Sequence, residues 1–346
     1  MSLGALFSIW RARVRAIVRR VLGLKPKLPK SDRRLRLILN GKSADRADIR
    51  LAIEEMRQAG TRVDLAITHR LGDATHLASI STRLCDVVVA AGGDGTIQEV
   101  VEGILRVRPT RRPSLALLPA GTANDFATGC QIPRFPPLAL QLAASGRSRS
   151  IDVLQVRGLD PIGEVADLDM SIAVNVITAA FIDENATEIS DELKRLIGGP
   201  AYWIAGILRT LHLRPRRIEW RSDDARGSDD LVVLTLANGR QTGGGSVVAP
   251  SALINDGLMD VRMIRAFEIA DFPAVVREVG DPDFPQPRFV IRCRTKRFTL
   301  SADEPWNLTL DGEPRTGRRV EVNVLHKPIR LVLPPGAPVR PHRHRP

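Results

Sequence analysis

The segment Asp86–Gly103, DVVVAAGGDGTIQEVVEG, constrains the fold of this chain more than any other stretch. Its apolar run, Val87–Ala91, breaks into Gly92-Gly93-Asp94-Gly95-Thr96, and apolar residues at helical spacing follow. The pattern predicts a buried strand, a glycine turn and a helix that starts at the turn. Backbone N–H groups at such a helix start bind phosphate oxygens well. Glycines there avoid the Cβ clash of a positive φ and let a phosphate approach.

The glycine turn differs from two common phosphate-binding loops. No Gly-Lys-Ser/Thr ends it, as in a Walker loop, and Glu99 stands near the place of the third glycine in a dinucleotide fingerprint. Thr96 can cap the helix or donate its hydroxyl to a phosphate. On spacing alone, phosphate binding and a plain strand-to-helix turn both remain open.

A second glycine turn follows the short apolar strand Leu115–Leu118, in the sequence PAGTANDFA. Two strand-ending turns that each carry Gly-Thr suit the carboxyl edge of a parallel sheet, where open α/β folds bind ligands. Strands and helices alternate throughout this part of the chain. We therefore predict a doubly wound α/β domain over residues 33–150, with a ligand site at the carboxyl edge of its sheet.

From Ile151 onward the pattern changes to short strands with frequent alternation of apolar and polar residues. It predicts a second, β-rich and sandwich-like domain over residues 151–325. Two helices are expected within it, at Glu188–Ile197 and Tyr202–Leu211. The strands expected there are Val153–Val156, Ile172–Ile177, Ile218–Trp220, Leu231–Ala237, Leu258–Ile264, Phe289–Cys293 and Val320–Val324.

The net charge of +12 is concentrated at the two ends of the chain. Residues 1–36 carry eleven Lys or Arg and one acid, a net +10, and residues 337–346 carry three Arg, a net +3. The remaining body has 37 basic and 38 acidic residues, a net −1. Nucleic-acid-binding folds usually spread basic charge over a face of the body, and aromatic residues, which would stack on bases, make up only 4%. We therefore expect no nucleic-acid partner.

Residues 4–24 predict an amphipathic helix, with arginines opposite an apolar stripe. Its arginines interrupt it too often for a transmembrane span, whereas a helix lying in the interface of an anionic membrane has this composition. Packing on this protein or a partner is the alternative. Residues 1–32 are thus a basic helix and linker, and 336–346 a disordered basic tail. The stripe consists of Leu6, Trp10, Val14, Ile17 and Val21.

The expected location is the cytoplasm, at the inner face of the membrane and held there through residues 1–24. Cys85, Cys130 and Cys293 are isolated in sequence, odd in number and without metal-site spacing. A reducing compartment is the simple interpretation of such cysteines. The oligomeric state is left open.

Five ordered motifs resemble the diacylglycerol kinase catalytic-domain family, specifically its bacterial YegS-like lipid kinase branch. The resemblance runs from about Leu35 to about Pro335. In this family the last strand returns to the first domain, which implies that residues 326–335, with Ile329–Leu333 as the strand, do so here. The motifs are Asn40–Ser43; Thr68 with Gly72-Asp73-Ala74; the two glycine turns; Asn238–Gly245 with Ala252–Leu258; and Leu310–Pro314.

The resemblance implies ATP as the phosphoryl donor and makes residues 33–150 the nucleotide-binding α/β domain. Gln98 stands where the family usually has asparagine, so its amide is kept on a longer side chain. Asp94 is compatible with three roles: orienting a metal-bound water, binding the sugar hydroxyls, or capping the helix. The implied nucleotide-binding residues are Thr68, Gly93, Asp94, Gly95, Thr96, Ile97, Gln98, Glu99 and Thr122.

The resemblance also marks Glu313 as the group that accepts the proton of the lipid hydroxyl. It further implies a site for magnesium, or another divalent cation such as calcium, at Leu253, Asp256 and Leu258. Two backbone carbonyls and one carboxylate would supply the oxygen ligands that such cations prefer. Both segments also fit plain turns, because Asp-Gly is a strong turn dipeptide.

Three functions remain open at this point. The first is an ATP-dependent lipid kinase that phosphorylates a membrane lipid such as diacylglycerol, a phosphatidylglycerol-like lipid or a sphingoid base. The second is a soluble kinase similar to NAD kinases, and the third is a non-catalytic nucleotide-binding module recruited to membranes. The amphipathic end and the Asn238–Gly245 match disfavour the second. Glu313 and Asp256, kept beside both glycine turns, argue against the third.

Overall fold

A computed structural model describes residues 31–159, 171–180, 215–281 and 283–340. Residues up to about 150 alternate between strands and helices, and antiparallel strands dominate thereafter. The first group is β1 (Arg34–Asn40), α1 (Ala47–Gln58), β2 (Arg62–Thr68), α2 (Asp73–Ile80), β3 (Val87–Gly92), α3 (Asp94–Leu105), β4 (Ser114–Pro119), α4 (Asp125–Gly129) and α5 (Pro136–Ser145). The second group is β5 (Arg147–Leu159), β6 (Ser171–Ala173), β7 (Val176–Ala180), β8 (Arg216–Arg221), β9 (Arg226–Ala237), β10 (Gln241–Thr242), β11 (Ser246–Val247), β12 (Met259–Arg265), α6 (Phe272–Gly280), β13 (Val290–Thr295), β14 (Arg297–Leu310) and β15 (Glu313–Leu333).

The first domain is built on a parallel sheet in which β2, β1, β3 and β4 lie side by side in that order. Every residue of β3 is buried, which explains its unbroken apolar run. Because successive side chains of a strand point to opposite faces, each face of the sheet needs its own cover. Apolar residues of α2 and α3 cover one face, and those of α1 and α5 cover the other. The doubly wound α/β prediction is confirmed.

In the second domain, antiparallel strands fold around a separate core. Strand β8 pairs with β9 and β14, and β7 pairs with the same two strands, so these four close a ring. Strands β12 and β13 extend the sheet beyond β9. The prediction of a β-rich, sandwich-like second domain is confirmed. Its core includes Leu154, Ile177, Leu234, Leu236, Met263, Phe298, Leu300, Trp306 and Val320.

The long strand β15 belongs to both domains. It begins as the partner of β14 in the second domain and continues beside β5. Near its end, Leu331 pairs in parallel with Leu115 of β4, so the strand also completes the first sheet. The segments Val320–Val324 and Ile329–Leu333, expected as two strands, are therefore parts of one. A register shift between Leu325 and Ile329 separates them.

Several sequence expectations concern the two ends of the sequence and the segment of residues 181–214. The amphipathic segment 4–24 and the helices expected at Glu188–Ile197 and Tyr202–Leu211 lie outside the described residues. Residues 336–340, expected to begin a disordered tail, instead lie against the second domain. The N–H of Ile254 donates to the Pro338 carbonyl (3.1 Å), and the N–H of Arg340 donates to Asn255 Oδ1 (2.7 Å). This contact corrects the tail boundary, because the segment is anchored as far as Arg340.

Candidate active site between the two domains

The loops that leave the parallel strands meet at the carboxyl edge of the first sheet. They include the first glycine turn (Gly92–Thr96, after β3) and the second glycine turn (Gly121–Asn124, after β4). Thr68 ends β2 beside Asn40, the last residue of β1. The edge thus gathers Thr68, the first glycine turn and Thr122 of the predicted site residues, as expected for an open α/β fold.

Close contact between the two glycine turns explains their composition. Gly93 has a φ of −92°, so no left-handed backbone requires glycine there, which corrects the sequence-based reason for it. A Cβ on Gly93 would lie 3.3 Å from Gly121 Cα, and a Cβ on Gly121 would collide with the Gly93 backbone. Glycine is needed because the two backbones touch.

The start of α3 leaves hydrogen-bond donors free at this edge. The helix begins at Asp94, and no side chain caps it from Gly93. The N–H groups of the first helical turn therefore have no partner within the helix, and they carry its positive end. Gly121 and Thr122 lie exposed in the second turn. The N–H groups at the start of α3 form a phosphate cradle that fits a nucleotide.

Thr96 ties the first turn to the neighbouring strand. It is the third residue of α3 and so is not its cap. Its hydroxyl accepts a hydrogen bond from Asn40 Nδ2 (3.2 Å), and a Cβ on Gly92 would collide with its side chain. The side chain of Thr68 is buried next to this contact. Both threonines therefore shape the edge of the sheet.

Asp94 holds the two turns together. Its carboxylate accepts hydrogen bonds from the N–H groups of Asp125 (3.1 Å) and Phe126 (3.2 Å), at the start of α4. Burial raises the pKa of Asp94, although these two hydrogen bonds act to lower it. Among the three roles left open by the sequence, the structure shows a capping role, although the capped helix is α4 and not the helix of Asp94.

Asn124 fixes the shape of the second turn. Its left-handed backbone (φ 54°) turns the side chain back onto Gly121. The Oδ1 atom accepts from the Gly121 N–H (2.9 Å), and Nδ2 donates to the Gly121 carbonyl (2.6 Å). Sequence reasoning quoted this residue within the motif without giving it a role. The signal was present, because Asn tolerates left-handed turns.

Three of the predicted nucleotide-binding residues use their side chains elsewhere. Ile97 packs in the core of the first domain. The buried amide of Gln98 donates to the Ile172 carbonyl in β6 (2.7 Å), and Glu99 accepts from the N–H groups of Gly72 (3.0 Å) and Ala74 (3.2 Å). The extra length of Gln98 therefore serves a link between the domains. These side chains support the first turn from behind, which leaves backbone atoms as the groups available to a nucleotide.

The hairpin between β14 and β15 brings Glu313 to the first glycine turn. Asp311 (φ 53°) and Gly312 (φ 96°) form its two-residue turn, and Leu310 pairs with Glu313. Such turns need positive φ at both central residues, which Asp-Gly supplies. A Cβ on Gly95 would lie 3.1 Å from Glu313 Oε1. The segment is thus a plain turn in its backbone, as one interpretation expected. The same turn brings the predicted base, Glu313, next to the predicted phosphate cradle.

Asp311 anchors that hairpin to the second domain. Its carboxylate accepts three backbone hydrogen bonds, from the N–H groups of Val174 (2.6 Å), Asn175 (2.9 Å) and Val176 (2.9 Å). Desolvation raises the pKa of Asp311 to about 7 in spite of these bonds, and repulsion from Asp94 adds to the rise. Sequence reasoning missed this residue, although it stands in the quoted Leu310–Pro314 motif.

A cavity of about 380 Å³ lies between the domains next to this hairpin. Asp125, whose Oδ2 accepts from the Gly244 N–H (2.9 Å), joins α4 to the loop beyond β10 at its rim. Hydroxyl groups and small apolar side chains share the wall. The lining includes Asp94, Ala123, Asp125, Asn175, Thr178, Ala179, Val233, Thr242, Gly243, Thr309 and Asp311.

The predicted cation site has a different character. None of Leu253, Asp256 and Leu258 lines the cavity. The Asp256 side chain is 0% exposed, its Oδ1 accepts from the Leu258 N–H (3.1 Å), and its Oδ2 contacts the guanidinium groups of Arg294 and Arg340. Within the described ranges, no group of three or more His, Cys, Asp or Glu side chains is placed to hold a metal ion. The donor set does not fit a divalent cation, because two positive groups already occupy the carboxylate.

Comparison with known proteins agrees with this architecture. The sequence profile of the diacylglycerol kinase catalytic domain matches residues 34–156, and that of the YegS C-terminal NAD kinase beta sandwich-like domain matches residues 176–333. Proteins named "Probable lipid kinase YegS-like" from Yersinia pestis (strain Pestoides F) and Yersinia pseudotuberculosis serotype O:1b (strain IP 31758) are each 36% identical over 304 residues, which is 88% of this chain and 98% of theirs.

A solved structure shares the fold. The crystal structure of "a putative diacylglycerol kinase from Bacillus anthracis str. Sterne" superposes with a TM-score of 0.71 at 21% identity, over 90% of this chain and 99% of that one. The two profiles, the curated relatives and the fold agree with the motif resemblance seen in the sequence. The chain therefore belongs to the diacylglycerol kinase catalytic-domain family, in its branch of YegS-like lipid kinases.

Proposed function

We propose that this protein is an ATP-dependent lipid kinase that transfers the γ-phosphoryl group to a hydroxyl of a membrane lipid, either diacylglycerol or a phosphatidylglycerol-like lipid. Its family membership makes it a kinase of lipid alcohols. The observation that carries the proposal is the position of Glu313, whose Oε1 would lie 3.1 Å from a Cβ on Gly95. A proton acceptor and a phosphate cradle from different domains thus face each other.

The two glycine turns supply the nucleotide site. The free N–H groups at Gly93–Thr96 would hold the ATP phosphates, with Gly121 and exposed Thr122 opposite. Thr68 lies at the same edge of the sheet. Magnesium, or another divalent cation, would enter as part of the ATP substrate and neutralise charge on its phosphates.

Glu313 would act as the general base. Its side chain is exposed and makes no hydrogen bond or ion pair with any other described residue. As the lipid hydroxyl oxygen attacks the γ-phosphorus, its proton passes to the Glu313 carboxylate, and the bond from the γ-phosphorus to the ADP oxygen breaks. A carboxylate without a partner can accept that proton directly.

The cavity beside the hairpin suits the hydroxyl-bearing end of a lipid. Its volume of about 380 Å³ is at the small end of ligand pockets, roughly 300–1,000 Å³. The Thr178 and Thr309 hydroxyls lie 2.7 Å apart in its wall, near the apolar side chains of Ala179 and Val233. A glycerol-like group finds both hydroxyl partners and apolar contacts there, while acyl chains stay outside.

Residues 1–24 would bring this site to an anionic membrane surface on the cytoplasmic side. Throughout the part of the chain that the structure describes, no helix is long and apolar enough to cross a bilayer. The body has a net charge of −1, so attraction to anionic lipids must come from the basic ends. Each Lys or Arg near such a surface contributes about 1 kcal/mol.

Phosphoryl transfer from radiolabelled ATP to different acceptors tests the proposal. The full-length protein is offered vesicles that contain diacylglycerol, phosphatidylglycerol or a sphingoid base, and separately soluble NAD. We expect label in a vesicle lipid. Preferential labelling of NAD would favour the NAD-kinase-like alternative, and ATP binding without transfer to any acceptor would favour the non-catalytic module.

Deletion of residues 1–30 separates recruitment from chemistry. We expect weaker binding to anionic vesicles and lower activity on them, with much smaller change on detergent-dispersed substrate. Equal vesicle binding by the full-length and shortened proteins at physiological salt would assign the segment to packing or partner contact.

A further inference from the structure

The loop Leu253–Leu258 is held by positive side chains that come from distant parts of the sequence. Asp256 Oδ2 contacts Arg294 Nη2, and Arg340 Nη2 lies 3.7 Å from the same oxygen. The other carboxylate oxygen accepts the Leu258 N–H (3.1 Å). Both oxygens of a fully buried carboxylate are therefore occupied by groups of this chain.

Arg294 also bridges to a second carboxylate. Its Nε lies 3.4 Å from Asp260 Oδ2, and the two residues are cross-strand partners between β12 and β13. Burial acts to lower the pKa of Arg294, but attraction to Asp260 and Asp256 outweighs this effect and raises the pKa above its ordinary value. The two arginines and two aspartates balance in charge, so a divalent cation added here would meet two guanidinium groups without a compensating anion.

The cluster joins three parts of the molecule. The Ile254 carbonyl accepts from the Asp152 N–H in β5 (2.7 Å), and the Ile254 N–H donates to Pro338 (3.1 Å). Arg340, in the same C-terminal segment as Pro338, donates its N–H to Asn255 (2.7 Å). Arg294 comes from β13. Fixing a loop between neighbouring segments is what a structural cation does, and here the arginines do it.

We propose that Arg294, supported by Arg340, takes the place of a divalent cation at the Leu253–Leu258 loop of this chain. Guanidinium groups hold the Asp256 carboxylate, and the loop is indifferent to free magnesium and calcium. The proposal concerns the stability of the fold and does not depend on the proposed reaction.

Thermal unfolding of the full-length, EDTA-treated protein tests it, without nucleotide and with magnesium chloride, calcium chloride or sodium chloride at matched ionic strength. For the wild type we expect the two divalent salts to give the same Tm as sodium chloride. Arg294→Gln leaves the buried Asp256 carboxylate short of its main partner, so we expect its Tm to fall by roughly 5 °C. Magnesium or calcium should then recover part of that loss, because the carboxylates are free to bind a cation.

Two further variants make the result specific. Arg294→Lys keeps a positive group at the carboxylate and should remain indifferent to both cations. The double variant Arg294→Gln/Asp256→Asn should show no recovery with either cation.

Three results would overturn the proposal. One is a saturable rise of the wild-type Tm with magnesium or calcium that Asp256→Asn abolishes. This comparison tests the proposal even if Arg294→Gln does not fold. Another is a folded Arg294→Gln protein as stable as the wild type. The third is a destabilised Arg294→Gln protein that neither cation stabilises, which would reduce Arg294 to an ordinary ion-pair partner.

Discussion

Two Asp-Gly turns of the second domain have similar sequences and opposite chemical situations. In each, the glycine is left-handed, with φ of 96° at Gly312 and 78° at Gly257. At the first turn, the side chain of Glu313 lies beside Gly95 and has no hydrogen-bond or ion-pair partner among the described residues. At the second, the Asp256 carboxylate is 0% exposed and meets two arginines. The aspartate of each turn is held by other groups of the chain, three backbone N–H groups at Asp311 and two arginines at Asp256. The residue after the glycine makes the difference, because it is a glutamate at the first turn and Leu258 at the second.

We expect substitutions in the two turns to differ most in their effect on turnover. Glu313→Gln keeps the size of the side chain but cannot accept a proton, so we expect turnover to fall by ~10²–10⁴-fold with ATP affinity nearly kept. Asp256→Asn should change turnover far less. Glu304→Gln is the matched control, because Glu304 is an exposed glutamate whose Arg216 contact is 3.7 Å long. Near-normal turnover of Glu313→Gln in steady-state assays would remove the base assignment.

Substitutions in the glycine turns should separate nucleotide binding from catalysis. A Cβ on Gly121 collides with the Gly93 backbone, whereas a Cβ on Gly95 meets only the carboxylate of Glu313 at 3.1 Å. Each hydrogen bond to a charged group contributes about 1.5–3 kcal/mol. We therefore expect Gly121→Ala to weaken ATP binding by about tenfold or more, and Gly95→Ala to lower mainly turnover.

Gly129→Ala is the control for both glycine variants, because its Cβ would make an ordinary 3.7 Å contact with Gln241. Calorimetric ATP titration of the three variants provides the measurement. Equal ATP affinity in Gly121→Ala and Gly129→Ala would contradict a phosphate site between the two turns.

The Asp311 anchor predicts a pH dependence of stability. With its pKa raised to about 7 in the folded protein, Asp311 keeps its proton to higher pH than in the unfolded chain. The folded state then binds more protons between the two pKa values, so this group's contribution to stability falls as pH rises from about 4 to about 7. The slope is at most about 1.4 kcal/mol per pH unit.

Asp311→Asn should remove that slope and lower turnover, because an amide cannot accept all three N–H bonds with both of its ends. Urea unfolding of both proteins at several pH values measures the slope. Parallel stability curves for the wild type and Asp311→Asn would show that Asp311 titrates normally.

The smallest effect is expected at Gln98. Shortening it to asparagine withdraws the amide from the Ile172 carbonyl, now 2.7 Å away, and leaves a buried acceptor without its partner. Such a loss costs about 1–3 kcal/mol. We expect Gln98→Asn to lower the free energy of unfolding by that amount and to leave ATP affinity unchanged. A loss of ATP affinity without a loss of stability would place the amide in the nucleotide site.

The sequence predicts those features that depend on nearby residues. The apolar run of β3, its glycine turn and the start of α3 follow from side-chain periodicity and glycine placement, and the two-domain order follows from the change of period near Ile151. The continuity of β15 was missed, because His326, Lys327 and Pro328 interrupt its pattern. Proline lacks an N–H and normally ends a strand, but here it falls within the register shift between Leu325 and Ile329.

Side-chain partners across long separations could not be predicted. The residues around Asp256 do not indicate that its partners are Arg294 and Arg340. The residues around Gln98 likewise do not indicate a hydrogen bond to Ile172. The partners of Asp94 could not be predicted for the same reason, because its carboxylate accepts from α4, a helix that starts 31 residues later at Asp125. Positions along the sheet edge follow from topology, whereas the partner of each polar side chain depends on how distant loops fold back.

The shared strand β15 also bears on how the chain folds during synthesis. β4 is flanked by β3 on one side and by β15 on the other, and Ile329, Leu331 and Leu333 belong to the core of the first domain. During synthesis, residues 33–150 alone therefore form a domain that has an open edge at β4 and lacks three of its core residues. This domain is completed only after Ile329–Leu333 has been made, so the two domains mature together.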